Sequence, residues 1–372
     1  MRQIRLGVLD QDSEYLEPMK AYFRSGDAGK AFRLAAFTRL EALLDHSDES
    51  GKLDLLLVGP GYASELAKLR DAAAVCCDFG EEASGAGGSE NKLPFVAKYQ
   101  PLDQLAADLR ELVSEHWFAD ARASRQSGRA IAVYSASGGC GKSMAAWNLA
   151  AGLAYYGSRT LLVSLEGFQS DTPFVSASGE DRYGKLLYYA KADPKGLPAR
   201  LGALVQSDPK SGLFCIEPLL HSSDMESLSA DETAALIDSL RSSGFDYIVL
   251  DLSSALDERA EAALRGSDAV LWLVTDDALC LSKTAKAYSE WSARLAGEPL
   301  RERILLGVNR CMGTPVHALE LDGLAPAFCL PYMPEWKAVT SPGQLLAEPS
   351  IKDMLAAAVR NYFADREAVV LA

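Results

Sequence analysis

The chain has 372 residues, 48% of them hydrophobic and 24% charged, which suits about two domains with ordinary cores. Its formal net charge of −14 argues against a protein that lives on non-specific DNA contacts, because these need a positive field. The seven cysteines are scattered and form no C-x-x-C, which reads as reduced thiols in a cytoplasmic protein, and the four scattered histidines form no metal-ligand cluster. The opening MRQIRLGVLD is too short and too charged for a leader, and no apolar run is long enough to span a bilayer.

The first third alternates strand-like and helix-like stretches. IRLGVLD (Ile4 to Asp10) is an apolar strand, and SEYLEPMKAYF starts on a helix-capping serine and keeps helical periodicity. FRLAAFT and RLEALLDHS predict a second strand and helix. LDLLLVGP (Leu53 to Pro60) is apolar throughout, as a strand covered on both faces of a parallel sheet must be. AAAVCC is a further apolar run, and DFGEEASGAGGSENK (Asp78 to Lys92) predicts a mobile loop. LPFVAKYQ predicts a fifth strand and PLDQLAADLRELVSEHW a closing amphipathic helix. These elements predict an α/β domain over residues 1–118, with a small polar linker at 119–129.

A second α/β domain, residues 130–372, begins at once with the strand AIAVYSAS, a glycine-rich loop and the helix SMAAWNLAAGLAYYG, with Gly157 placed to cap it. TLLVSLE, DYIVLDLS, AVLWLVTD, RILLGVNR and the shorter FCLPYMP predict further strands, separated by helical stretches. Such alternation predicts an open, mostly parallel sheet.

The loop YSASGGCGKSM carries the chemistry. A glycine-rich turn between strand and helix turns backbone N–H groups on phosphates at a helix N-terminus, where the helix dipole favours anions. Gly138, Gly139 and Gly141 allow the tight turn, Lys142 reaches the β- and γ-phosphates, and the Ser143 hydroxyl suits Mg²⁺. Ala136 stands where the usual G-x-x-x-x-G-K-[ST] run has its first glycine. Asp251 ends the strand DYIVLD, where it either holds a Mg²⁺-bound water or caps the next turn. Glu166 sits similarly after LLVSL, as a candidate to orient an attacking water. Asn309 and Arg310 follow another strand, where an amide can read an adenine edge.

As a set, ASGGCGKSMAAWNLAAGLA resembles the deviant Walker A segment of the MinD/ParA ATPases, K-G-G-x-G-K-[ST] followed by an N-L-A helix. LLVSLEG is similar to that family's D-x-D strand end, with Ser164 and Glu166 for its aspartates, and FDYIVLDLSS to its Walker B segment, with Asp251. VNR and LPYMPEW resemble its adenine-side loops. The resemblance implies an ATP site with Mg²⁺ built from Ser137, Gly138, Gly139, Cys140, Gly141, Lys142, Ser143, Met144, Asn309, Arg310, Pro331 and Tyr332. In it Lys142, Glu166 and Asp251 are catalytic and Ser143 and Asp251 hold the metal. Cys140 fills a small-residue position of the loop. The family's lysine that reaches the partner's phosphates in an ATP-sandwiched homodimer is Ser137 here, so binding is expected to outlast catalysis.

The first domain resembles a response-regulator receiver, with Lys98 in the lysine position, Tyr99 for its proline, Asp10 and Asp12 near the acidic pocket, and Gly59 in place of the phospho-accepting aspartate, and the resemblance implies a receiver-like, flavodoxin-like fold over residues 1–118. A receiver-like domain without its acceptor, joined to a MinD-like ATPase, is similar to the TadZ/CpaE proteins of Tad/Flp pilus assembly. The expected partners are therefore a second copy and pilus or secretion proteins, at a pole or a membrane-bound complex. No strong nucleic-acid binding is expected. The C-terminal IKDMLAAAVRNYFADREAVVLA mixes both signs of charge, so its apolar face is expected to pack on the domain rather than enter a membrane. The competing readings are a ParA-like partition ATPase and a nucleotide-independent adaptor.

Overall fold

The computed structural model describes residues 4–24, 32–50, 53–65, 69, 73–80, 94–106, 108, 109, 112, 127–170, 180–208, 211–296, 299–314, 316, 317, 321–340, 342–346 and 348–371. The chain divides into two compact units, residues 1–120 and 121–372.

The first unit is built on five strands, β1 (Ile4–Leu9), β2 (Phe32–Phe37), β3 (Leu53–Val58), β4 (Ala73–Gly80) and β5 (Phe95–Ala97). They pair in the order β2-β1-β3-β4-β5, every pair parallel. This is the doubly wound order 2-1-3-4-5. All six residues of β3 are buried, as its unbroken apolar sequence requires at the centre of a covered sheet. Helix α1 (Ser13–Arg24) sets Leu16, Met19 and Phe23 against Leu6, Val8 and Leu55. Helix α2 spans Leu40–Ser50, and residues 102–106, 108, 109 and 112 are helical. The predicted fifth strand is shorter than its sequence run. Of the expected loop at 78–92, Asp78–Gly80 belong to β4 and residues 81–92 lie outside the described residues, as do residues 119–126 of the expected linker.

The second unit holds eight strands, β6 (Arg129–Tyr134), β7 (Thr160–Ser164), β8 (Gln206–Ser207), β9 (Phe214–Cys215), β10 (Tyr247–Asp251), β11 (Ala269–Thr275), β12 (Ile304–Cys311) and β13 (Phe328–Pro331). Their order is β13-β12-β11-β6-β10-β7-β9-β8, parallel except for the edge pair β8–β9. Helices α3 (Lys142–Tyr155), α4 (Arg182–Ala192), α5 (Ala230–Arg241), α6 (Glu258–Arg265), α7 (Ala278–Arg294) and α8 (Pro349–Leu371) connect and flank them. From β6 the chain crosses to β7 on one side, whereas β11 leads to β12 on the other. The carboxyl ends of β6 and β11 therefore frame a crevice of the kind open α/β sheets use for ligands.

Helix α3 is alanine-rich for a reason of space. Ala145, Ala146, Ala150 and Ala151 are buried, and a Cβ on Gly152 would lie 2.6 Å from the Lys352 carbonyl oxygen of α8. The two helices meet almost backbone to backbone, and α8 buries Ile351, Leu355, Ala356, Val359 and Phe363 in the same core. Gly157, with φ 86°, ends α3 as expected. Its N–H donates to Ala154 O, and the Ser158 N–H to Leu153 O, the Schellman pattern. No helix among the described residues is long and apolar enough to cross a membrane.

Candidate nucleotide site

The loop after β6 turns at Gly139 (φ 73°) and Gly141 (φ 95°), conformations that side chains resist. At Gly141 space also forbids a side chain, since a Cβ there would meet Asn309 Nδ2 at 2.3 Å. Gly138 and Gly139 are exposed, with open space where side chains would stand. Helix α3 begins at Lys142 with no side-chain cap, leaving its first N–H groups to the crevice.

Four of the predicted residues converge here. Lys142 is buried, and its ammonium donates to Ser254 Oγ at 2.9 Å and lies 3.8 Å from Glu166 Oε1. Asp251 closes β10 and is 4% exposed. Burial, and then the nearby Glu166 charge, push its carboxyl up to about 7, while Ser143 hydrogen bonding and the Lys142 charge pull the other way. Burial likewise raises Glu166, opposed by Lys142 and Ser143. Asp251 Oδ1 is buried with no hydrogen-bond partner. A buried carboxylate oxygen left unpaired costs free energy unless a cation meets it. Ser143 and Asp251 thus fit a hard divalent ion that takes its other oxygens from phosphate and water. Among the described residues no group of three His, Cys, Asp or Glu side chains forms a self-sufficient metal site.

Asn309 is tied to the loop: Nδ2 donates to Cys140 O at 2.7 Å and Oδ1 accepts from Arg310 N at 2.9 Å, which leaves one Nδ2 N–H and one Oδ1 lone pair for a further partner. It acts as a latch on the loop. Arg310 follows with φ 59° and lays Nη2 on Gly139 O at 2.7 Å. The neighbouring wall comes from β13, where Pro331 is exposed, Tyr332 N donates to Cys311 O at 3.0 Å, and Lys337 lies over the Tyr332 ring. Met144 is half-buried against the core, and its carbonyl accepts from Asn148 Nδ2. Ser137 is half-buried and carries no charge, its N–H directed to Ser135 Oγ at 3.3 Å. Cys140 is buried and its thiol is raised by burial, so it packs rather than reacts.

Sequence reasoning missed the residues that hold these groups. Ser254, inside the run DLSSALD, receives the Lys142 ammonium. The Tyr183 hydroxyl and Gln169 Nε2 both donate to Ser164 O, and Leu165 N donates to Asp251 O at 2.8 Å, tying the end of β7 to that of β10. Tyr183 lies on α4, far along the chain, and nothing in its local pattern signals the contact.

The first unit has a polar cluster of its own at the crevice between β1 and β3. The buried Lys98 pairs with Asp10 at 2.8 Å and with Asp12 at 3.3 Å, and Tyr99 OH donates to Asp12. A Cβ on Gly59 would stand 2.8 Å from Asp10 Oδ2.

Comparison with known proteins bears on the second unit. Residues 128–285 match a family model described as an AAA domain. A ParA family ATPase from Chlorobium tepidum superposes with a TM-score of 0.51 at 19% identity, covering 63% of this chain and 98% of that one. The septum site-determining protein MinD of Pyrococcus horikoshii, complexed with Mg-ADP, gives 0.46 at 16%, covering 66% and 99%. Apo McdA from Cyanthece gives 0.47 at 16%, covering 63% and 99%. No curated protein sequence matches the chain. The second unit has the mostly parallel α/β fold of the ParA-type P-loop ATPases.

Proposed function

We propose that the chain is an ATP-binding member of the MinD/ParA group that dimerises with nucleotide, hydrolyses it slowly, and positions a Tad/Flp-type pilus or secretion machine. The observation that carries the nucleotide part is the convergence of Lys142, Ser143, Glu166 and Asp251 on a glycine loop, with Asp251 Oδ1 buried and unpaired. Lys142 would release Ser254 to bind the β- and γ-phosphates, and the loop and α3 N–H groups would cradle them. Ser143 and Asp251 would hold Mg²⁺, which when bound neutralises phosphate charge. Glu166 would accept a hydrogen bond from the attacking water.

Slow turnover follows from Ser137. A cation reaching the γ-phosphate from a partner is worth on the order of 10³–10⁵ in rate, and a serine hydroxyl supplies no charge. The first unit supports the pilus reading through its 2-1-3-4-5 parallel sheet and its Asp10–Asp12–Lys98 cluster, which suit a receiver-like domain over residues 1–118, with Gly59 where the acceptor would stand. The cytoplasmic, polar placement rests on the same resemblance.

Sedimentation of the full chain with and without MgATP tests the proposal. Nucleotide should raise the dimer fraction, and double-stranded DNA should leave turnover unchanged. Strong stimulation by DNA would favour a partition ATPase. A dimer fraction indifferent to nucleotide would count against the scaffold reading.

A further inference from the structure

We propose that Gln169 is the positioning residue of Glu166, its side-chain amide closing the turn that carries this carboxylate and so setting where it holds the attacking water. This deepens, and rests on, the reading of the site as a slow ATPase.

The amide stands where the sheet runs out. Pairing between β7 and β9 ends at Leu162 and Cys215, two residues short of the end of β7. Beyond that point Gln169 spans the two chains, with Nε2 donating to Ser164 O at 2.8 Å and Oε1 accepting from Leu219 N at 2.9 Å. One donor and one acceptor are what a peptide group offers, so the side chain extends the ladder by one rung. The partners fix its orientation, since a carbonyl needs the NH₂ end and an N–H needs the oxygen. The hydroxyl of the buried Tyr183 donates to the same Ser164 carbonyl and fills its second lone pair. On the other side of β7, Leu165 N donates to Asp251 O at 2.8 Å.

The consequence falls on Glu166. The bond from Gln169 to Ser164 O closes the neck of a turn over residues 164–169, and Glu166 lies within that turn, its N–H on Ser164 Oγ at 3.3 Å. The tip of the turn has little to hold it, with open space beside Gly167 and Phe168 87% exposed. The Glu166 carboxylate itself faces the Lys142 ammonium at 3.8 Å and the Ser143 hydroxyl. These are the groups that phosphate and metal take over, so once the site is filled the neck is what fixes the carboxylate. Among the described residues the hydrogen bonds of Gln169 go to Ser164, Leu219 and Tyr183 and none to the phosphate loop. Untying the neck therefore frees Glu166 while leaving the nucleotide's own contacts in place.

The test is single-turnover phosphate release with the full chain in excess over MgATP, beside calorimetric affinity for a non-hydrolysable ATP analogue. It compares wild type, Gln169→Leu, Gln169→Glu, Glu166→Gln and the double variant Gln169→Leu/Glu166→Gln. Gln169→Glu keeps the size and the Leu219 bond but, ionised, has no N–H for Ser164 O, so it answers the question should Gln169→Leu fold poorly. Both Gln169 variants should slow release roughly tenfold to a hundredfold, the scale that misplacing a reacting group costs, with analogue affinity close to wild type. In the Glu166→Gln background Gln169→Leu should cost nothing more, because it acts through Glu166. A merely structural role gives losses that multiply across the two positions, or an affinity that falls along with the rate, and either result would overturn the proposal. So would wild-type release in both Gln169 variants. Glu166→Gln as fast as wild type, or no release by a wild type that binds the analogue, would remove the hydrolytic reading and the proposal with it, a result distinct from those above.

Discussion

Asp251→Asn should make the ligand-free protein more stable while destroying its metal site. Asp251 is buried, its Oδ1 is unpaired, and its carboxyl titrates at about 7 against an ordinary 3.8. Below pH 3.8 folded and unfolded chains are both protonated, so the group contributes nothing. Between 3.8 and 7 the unfolded chain ionises and the folded one does not, so stability falls as pH rises; above 7 the deficit is constant. The displacement corresponds to a deficit on the order of 4 kcal/mol at pH 8. Relaxation of the partly exposed Glu166, whose charge is one of the causes, trims this to about 2–4 kcal/mol. Asparagine keeps the shape and has no charge to bury. The assay is urea unfolding followed by tryptophan fluorescence, since Trp147, Trp272 and Trp291 report on the second unit. Asp251→Asn should exceed wild type by that amount at pH 8, and the gap should close near pH 4. A variant less stable than wild type at pH 8, or a gap independent of pH, would refute the reasoning.

Ser137→Lys should raise steady-state phosphate release at least tenfold while the dimer persists, a small part of what a charge-stabilising finger contributes; a variant that dimerises and stays slow would move the defect to Glu166 or to the loop 251–257. Gly141→Ala should cost on the order of 1–3 kcal/mol in chemical denaturation, because φ is 95° and Asn309 Nδ2 stands where the methyl would go; an unchanged midpoint would contradict the close approach. The fragment Met1–His116 should remain unmodified by a small phosphodonor, since Gly59 has no carboxylate and Asp10 is held by Lys98; a stable acyl phosphate on Asp10 or Asp12 would contradict this.

Most of the fold was legible because its strands are buried on both faces. LDLLLV, YIVLD and AVLWLVT are continuous apolar runs, and only a covered parallel sheet asks for these. The stretch between β7 and β10 was not legible. Its strands β8 and β9 have two residues each, too few for any period to show. Within the site, the glycine loop, Lys142, Ser143 and Asp251 follow from local spacing. Ser254 and Tyr183 do not, because their partners are 112 and 19 residues away in the chain and meet only in the folded sheet. Asn309 was found by position, but its hold on the loop was not legible: the sequence places an amide beside the loop, and only the packing against Gly141 shows that one of its N–H groups is given to the loop's own carbonyl.

The measurement that tests the account most directly is calorimetric titration of the wild-type chain and Lys142→Ala with MgATP. Wild type should bind one nucleotide per chain, and Lys142→Ala should lose most of that affinity, since the variant removes the cation between Ser254 and Glu166 that the phosphates would take over. Adding EDTA to the wild type should weaken binding through the loss of the ion at Ser143 and Asp251. Equal affinities for wild type and Lys142→Ala, or no heat with either, would contradict a phosphate site at this loop.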